Sequence, residues 1–403
     1  MLNFGVFNYG LMEYTSGWYL AGLVITGYIS YYLCEVVKQP QLVCSPCKFK
    51  EFLESNLPIL HEKYWPTLWC CESRAQTVMA SIVRRTLLPH IHYRREILTL
   101  KDGGEVALDW KEDNTTTSSP IVLLLPGLTG SSQTEYAKAL ALSASKAGIR
   151  FVVFNNRGLG GMQLKTARLY CASNVEDVSE VISHVKKLHP TVPLGVLGVS
   201  LGGMIVGNYL SRMTEESQKM VAAAMLISVP WNVFVGTKSL ERPIINYLIN
   251  RHLAFCLVKT VQDRRHILGS TTDLDRVLKS RTVREFDESF TAKQFGYQDV
   301  IDYYNEASLH TKIHLMKVPT LCLSAADDPM QPLEGIPVEA AKKSEYVAIV
   351  IPSRGGHIGF MEGFLPIACD QYMVRCFTQY FTAMFENDNY KQFIKNVVCS
   401  SND

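Results

Sequence analysis

The chain has 403 residues, of which 47% are hydrophobic, and a formal net charge of +2 at pH 7. This length suits one large α/β domain with additions or two smaller domains. The balanced charge argues against nucleic acid as a partner, because phosphate binding needs an excess of basic residues. The 11 cysteines are scattered and odd in number, so the chain is no disulfide scaffold. Cys44 and Cys47 have no second pair spaced for zinc, and we predict no metal and no other cofactor.

An apolar segment, residues 18–37, follows a short N-terminal tail, residues 1–17. It is long enough to cross a bilayer once, and aromatic residues lie near its ends. A cleaved signal peptide has a shorter apolar core and a basic start, so we predict a single-pass membrane anchor. A buried core helix is the alternative.

The orientation of this anchor stays open. Lys38, Lys48 and Lys50 follow the segment, which favours a cytosolic body. Asn114-Thr115-Thr116 is a glycosylation sequon, which is usable only in the lumen.

Residues 38–90 form a juxtamembrane segment, which we expect either to pack on the body or to lie along the membrane. From residue 91 to residue 403 we predict one domain, and it begins with a β-hairpin over 93–98 and 105–110. Strand-like and helix-like runs then alternate, which indicates a mostly parallel, doubly wound α/β sheet. The predicted strands are 121–125, 150–155, 194–199, 221–229, 319–324 and 347–351, and the predicted helices are 132–147, 173–188, 204–213 and 371–385.

Two local signals refine this pattern. Ser173 and Glu176 predict a capping box at the start of the second helix. From about residue 230 to 317 the alternation stops, and helical segments are expected at 246–261, 273–281 and 298–306. An insertion at this point lies over the carboxyl ends of the strands, where ligands bind, so we predict a helical lid.

The candidate nucleophile is Ser200, which lies in Gly198-Val199-Ser200-Leu201-Gly202. A strand precedes this motif and a helix follows it, as in the nucleophile elbow of serine hydrolases. Glycine at both flanks permits the sharp turn that presents the serine hydroxyl. Alone, the motif is weak evidence, because it also occurs in turns that have no chemistry.

An acid and a histidine follow in the order that the α/β-hydrolase fold requires. Asp327 and Asp328 come directly after the strand 319–324, and His357 comes after the strand 347–351. The histidine is expected to take the proton of Ser200, and a carboxylate is expected to orient it. We favour Asp328 as that carboxylate because it lies four residues before Pro332, and Asp327 is the alternative.

Backbone amides must stabilise the oxyanion that forms when the serine attacks. One donor is expected from Leu201 at the helix start. The second is expected from the glycine-bearing loop after strand 121–125, at Leu128. Arg157 is expected to brace the loop beside the active site, and a contact with a phosphate is the alternative. His90 and His92 lack the further ligands that a metal site needs.

Together these residues resemble a known family. The motifs around Leu128, Arg157, Ser200, Asp328 and His357 are similar to the membrane-anchored AB-hydrolase 4 family, which includes α/β-hydrolase domain-containing proteins one and three. The resemblance covers nearly the whole chain, and in the lid it rests on 286–288 and 295–297.

The resemblance implies a serine esterase of membrane lipids, with phospholipid or another acyl ester as substrate. Relatives of type three are phospholipases that act on phosphatidylcholine, and distant fungal relatives transfer the acyl group to an alcohol. Carried over by position, the triad is Ser200, Asp328 or Asp327, and His357. Acyl transfer and a non-catalytic lipid-binding protein on the same fold are the alternatives.

Overall fold

The computed structural model describes residues 6–269, 273–364, 366 and 371–386. Within these residues the chain is organised around one nine-stranded sheet. The strands are β1 (Gln41–Val43), β2 (Arg94–Thr99), β3 (Glu105–Lys111), β4 (Ile121–Leu125), β5 (Arg150–Asn155), β6 (Leu194–Val199), β7 (Ala223–Ile227), β8 (Thr320–Leu323) and β9 (Val347–Ile351).

The strand order is β1-β9-β8-β7-β6-β4-β5-β3-β2. The strands from β9 to β5 in this order pair in parallel. The predicted hairpin, β2 and β3, continues the sheet antiparallel to β5. At the other edge β1 pairs antiparallel with β9, and no strand was predicted at this point of the juxtamembrane segment. The predicted mostly parallel sheet and the α/β-hydrolase fold are confirmed.

Helices cover both faces of the sheet. They are α1 (Val6–Tyr31), α2 (Lys48–Asn56), α3 (Ser73–Leu87), α4 (Glu135–Lys146), α5 (Glu176–Leu188), α6 (Leu201–Arg212), α7 (Thr214–Met220), α8 (Val233–Leu240), α9 (Ile245–Gln262), α10 (Arg265–Leu268), α11 (Leu274–Val277), α12 (Val283–Phe286), α13 (Ala292–Gln294), α14 (Val300–Ala307), α15 (Val338–Ala341) and α16 (Tyr372–Glu386).

Both faces of the sheet are buried because its central strands are apolar throughout. In β4, Leu123 and Leu125 pack into the core shared with α5 and α6, whereas Val122 and Leu124 pack against α4 and α16. Successive side chains of a strand point to opposite faces, so a continuous apolar run predicts this arrangement.

The predicted capping box was wrong. Helix α5 begins at Glu176, its N-cap residue is Val175, and no side chain caps it. The hydroxyl of Ser173 instead accepts a hydrogen bond of 2.7 Å from the hydroxyl of Tyr297, which lies in the lid. A tertiary contact has replaced the local one, so the helix starts later than the capping box predicted.

The N-terminal apolar helix and the segment after it differ in their packing. The stretch Gly17–Val36 is long and apolar enough to cross a membrane, and only 11% of an 18-residue apolar segment within it is buried. In contrast, α2 buries Phe49, Phe52 and Leu53 in the core that also contains α16. Of the two expectations for residues 38–90, packing on the body therefore holds for α2.

Candidate active site

Ser200 lies at a sharp turn between β6 and α6. Its backbone has φ 53° and ψ −119°, a conformation that is costly for a residue with a Cβ. A Cβ at Gly202 would lie 2.0 Å from the carbonyl oxygen of Leu125, and a Cβ at Gly198 would lie 2.5 Å from Cα of Gly203. Both flanks therefore require glycine, and the turn presents the Ser200 side chain beyond the carboxyl end of β6.

His357 and Asp328 form a hydrogen-bonded line with this serine. Nε2 of His357 lies 2.9 Å from Oγ of Ser200, and Nδ1 lies 2.8 Å from Oδ2 of Asp328. An ionised carboxylate only accepts hydrogen bonds, so Nδ1 carries the proton and Nε2 accepts from the serine hydroxyl. The imidazole and the carboxylate are both buried. This arrangement suits proton transfer from Ser200 to His357.

The two neighbouring aspartates have different partners. Oδ1 of Asp328 accepts hydrogen bonds from the amides of Met330, at 2.7 Å, and Gln331, at 3.2 Å. Oδ1 of Asp327 accepts from the amide of Gly356 at 2.9 Å, and burial raises the pKa of Asp327 to about 7. Asp328 thus contacts the imidazole, whereas Asp327 holds the loop that bears it.

The two amides predicted to form the oxyanion hole lie on either side of the elbow. Leu201 is the first residue of α6, where amides have no acceptor within the helix. Leu128 lies in the loop after β4, and a Cβ on its neighbour Gly127 would lie 3.2 Å from Cβ of Ser200. Tyr136 holds this loop, because its hydroxyl accepts a hydrogen bond of 2.7 Å from the amide of Gly127. Leu201 directly follows Ser200, and the loop that contains Leu128 lies against the Ser200 side chain.

Helix α3 braces the histidine loop, which the sequence did not indicate. Oγ1 of Thr77 accepts a hydrogen bond of 2.9 Å from the amide of His357. The buried guanidinium of Arg84 donates to the carbonyl of Ile358 at 2.7 Å and also to that of Gly359. No sequence motif predicts that α3 contacts this loop, because the two lie about 280 positions apart. The one signal within α3 is Arg84, whose charged side chain needs hydrogen-bond acceptors when it is buried.

The reactive groups open into a cavity of about 370 Å³. Its wall is largely apolar and comes from the insertion between β7 and β8 as well as from the sheet side. Two half-buried acids, Glu135 and Asp287, also line the cavity. Asp287 accepts hydrogen bonds from Thr291, at 2.7 Å, and Tyr304, at 3.2 Å, and desolvation raises its pKa to about 7. The apolar lining residues include Met204, Leu240, Leu257, Phe286, Phe290 and Tyr303.

Three other residues singled out in the sequence lie apart from this chemistry. Arg157 is buried, and its guanidinium donates to the carboxylates of Asp102 and Asp177 at 2.6–3.0 Å. Arg157 therefore links the segments that contain Asp102 and Asp177, which is the structural role that we expected. His90 and His92 are exposed, and their rings contact each other edge to face at 5.4 Å.

Comparison with known proteins gives concordant results. Residues 120–364 match the family described as the alpha/beta hydrolase fold. The chain is 42% identical to phospholipase ABHD3 of Mus musculus over 366 residues, which cover 89% of this chain and 88% of that protein. It is 27% identical to monoacylglycerol lipase ABHD2 of Homo sapiens over 80% of each chain. The Pyrococcus furiosus esterase Pf2001 aligns with 75% of this chain and 92% of its own, at 14% identity and a TM-score of 0.44.

Proposed function

The chain belongs to the α/β-hydrolase family, and we propose that Ser200 is the nucleophile with which it hydrolyses acyl esters of membrane lipids. The observation that carries this proposal is the hydrogen-bonded line from Asp328 through His357 to the Ser200 hydroxyl, with distances of 2.8 and 2.9 Å. A serine hydroxyl becomes nucleophilic only when a neutral imidazole takes its proton. The strained elbow, the positions of Leu128 and Leu201 beside Ser200, and the apolar cavity support this proposal.

In the acylation step Oγ of Ser200 attacks the ester carbonyl carbon while Nε2 of His357 accepts the serine proton. The carboxylate of Asp328 stabilises the resulting imidazolium. Amides of Leu128 and Leu201 donate to the oxyanion of the tetrahedral intermediate. When the intermediate collapses, the bond to the alcohol oxygen breaks and His357 gives its proton to that oxygen. The acyl group is then esterified to Ser200.

Deacylation repeats these steps with water as the nucleophile. His357 takes a proton from water, the hydroxide attacks the acyl-enzyme, and the fatty acid leaves as Ser200 regains its proton. An alcohol that reached the same position would accept the acyl group instead. Product analysis with and without added alcohol therefore separates hydrolysis from acyl transfer.

We propose a phospholipid, and phosphatidylcholine in particular, as the substrate. The apolar cavity beside Ser200 suits an acyl chain. The relative that is 42% identical carries the name phospholipase, and its similarity extends over 89% of the chain, including the lid. The apolar stretch Gly17–Val36 is proposed to be a single-pass anchor, which would hold the cavity beside membrane lipids.

The test compares wild type with Ser200→Ala. A fluorophosphonate probe should label the wild-type protein at Ser200 and fail to label the variant. Lipid profiling of a membrane extract incubated with each protein should show phosphatidylcholines falling, and free fatty acids rising, only with wild type. Ser118→Ala, which changes an exposed loop serine, is the matched control. Labelling that persists in Ser200→Ala would contradict the proposal.

A further inference from the structure

The cavity beside Ser200 extends to α3 and α9, where the exposed His252 lines it. Ser81 of α3 lines it on one side, and His252 and Cys256 of α9 line it on the other. The two helices are also joined at one end, because Nε of Arg74 donates a hydrogen bond of 2.6 Å to Oδ1 of Asn246. One helix thus comes from the juxtamembrane segment and the other from the insertion between β7 and β8, and both border the cavity that contains Ser200.

Large apolar side chains are exposed along these two helices. We define the portal rim as two residues of α3 and three at or in α9, with exposed fractions of 46% for Val78, 49% for Ile82, 76% for Ile244, 62% for Leu248 and 62% for Phe255. Single exposed apolar residues are common on soluble proteins, but a cluster around a cavity mouth marks an interaction surface.

The backbone at Ile244 supports this interpretation. This residue combines the highest exposure in the portal rim with a φ of 69°, a region that branched side chains avoid. A strained conformation that presents an isoleucine to solvent contributes nothing to the packing of the free protein. Such outliers point to a role in binding.

Helices α3 and α9, which carry four of the five residues of the portal rim, contain no acidic side chain, although the exposed Glu241 lies just before Ile244. This absence covers the 15 residues of α3 and the 18 residues of α9, whereas the whole chain has 38 acidic residues. The exposed ionised side chains on the two helices are basic: Arg85, Arg251 and Lys259. Apolar side chains flanked by cations match a surface of acyl chains under phosphate groups.

A hydrogen bond joins the N-terminal apolar helix to the segment that precedes α3. The hydroxyl of Tyr28 donates to the carbonyl of Leu68, just before α3. Trp69 and Phe364 are exposed next to this point, and Nε1 of Trp69 donates to the carbonyl of Phe364 at 2.7 Å. The apolar surface therefore continues from the helix that suits a bilayer, past these aromatic residues, to α3.

We propose that the portal rim docks on the surface of a phospholipid bilayer, so that an acyl chain enters the cavity directly between α3 and α9. Docking itself depends only on the surface described, whereas the fate of the acyl chain rests on the proposed function. Bilayer contact buries the rim side chains and places the cavity mouth at the level of the ester groups. The basic residues hold the phosphates above it.

The first experiment measures contact. The full chain is reconstituted into vesicles of phosphatidylcholine with brominated acyl chains, and an added tryptophan is compared in Phe255→Trp and Leu188→Trp. Leu188 is 51% exposed at the end of α5, away from both helices. We expect bromine to quench the added fluorescence at position 255 and not at position 188. Equal quenching at both positions, or none at 255, would overturn the proposal.

The second experiment separates docking from catalysis. Leu248→Asp/Phe255→Asp should lower hydrolysis of vesicle phosphatidylcholine by about tenfold or more, because burying each side chain favours docking by at least that factor. Hydrolysis of a water-soluble short-chain ester should stay within about twofold of wild type, since neither residue lines the cavity. The control Ile97→Asp/Leu188→Asp should leave both rates unchanged.

The outcomes distinguish the two proposals. Wild type that hydrolyses no ester and resists the fluorophosphonate probe contradicts the proposed function, whereas quenching at position 255 still reports docking. A double variant that keeps full activity on vesicles contradicts docking and leaves the function intact. A rim that binds a second copy of the chain, seen as a dimer of wild type that Leu248→Asp/Phe255→Asp abolishes, would also overturn the membrane assignment.

Discussion

Replacing Asp328 by asparagine should abolish activity through the imidazole tautomer. In wild type Oδ1 accepts from the amides of Met330 and Gln331, while Oδ2 lies 2.8 Å from Nδ1 of His357. In Asp328→Asn the carboxamide oxygen must stay with the two amides, so the NH₂ group faces Nδ1. That group can only donate, which moves the imidazole proton to Nε2. The serine hydroxyl then has no base.

The expected cost is about 10⁴-fold in kcat, or about 5.5 kcal/mol, the scale observed for this substitution in other serine hydrolase triads. Asp327→Asn is the matched control, because its carboxamide oxygen still accepts from the amide of Gly356; its kcat should stay within about threefold. Both variants are assayed on a soluble ester, after their folding has been checked by thermal unfolding. Comparable losses in the two variants, or a weakly affected Asp328→Asn, would refute the tautomer argument.

Three further predictions concern the elbow, the brace and pH. Gly202→Ala places a Cβ 2.0 Å from the carbonyl oxygen of Leu125, so it should lower the free energy of unfolding by about 3 kcal/mol and abolish probe labelling; unchanged urea unfolding would contradict this. Arg84→Ala leaves two buried carbonyls of the histidine loop without donors and should lower kcat/KM by about tenfold or more, whereas the exposed control Arg94→Ala should not. Burial raises the pKa of Asp327 to about 7 from 3.8, so the folded state binds an extra proton between these values and stability should fall as pH rises through this range. The full effect is about 4 kcal/mol, and urea titrations of Asp327→Asn should show a correspondingly flatter pH dependence.

The sequence predicted well wherever a short stretch determines its own geometry. The strand Ile121–Leu125 was predicted with its observed ends, because five consecutive apolar residues can only be buried on both faces of a sheet. The turn at Ser200 was predicted equally well, since the glycines on both sides of it are required by close contacts with the adjacent loop and helix. Local signals failed where a distant partner competed, as Tyr297 does for the side chain of Ser173.

The sequence alone determined the fold class of this protein, because hydrophobic periodicity is a local property. It also determined the position of Ser200 and the order of serine, acid and histidine along the chain, because each follows a predicted strand. The tertiary structure alone decided that Asp328 rather than Asp327 faces the imidazole, because both follow the same strand and only the path of the loop sets their directions. It also decided that Arg84 braces the histidine loop. Arg84 and Ile358 are 274 positions apart, and spacing along a chain carries no information about which distant residues meet.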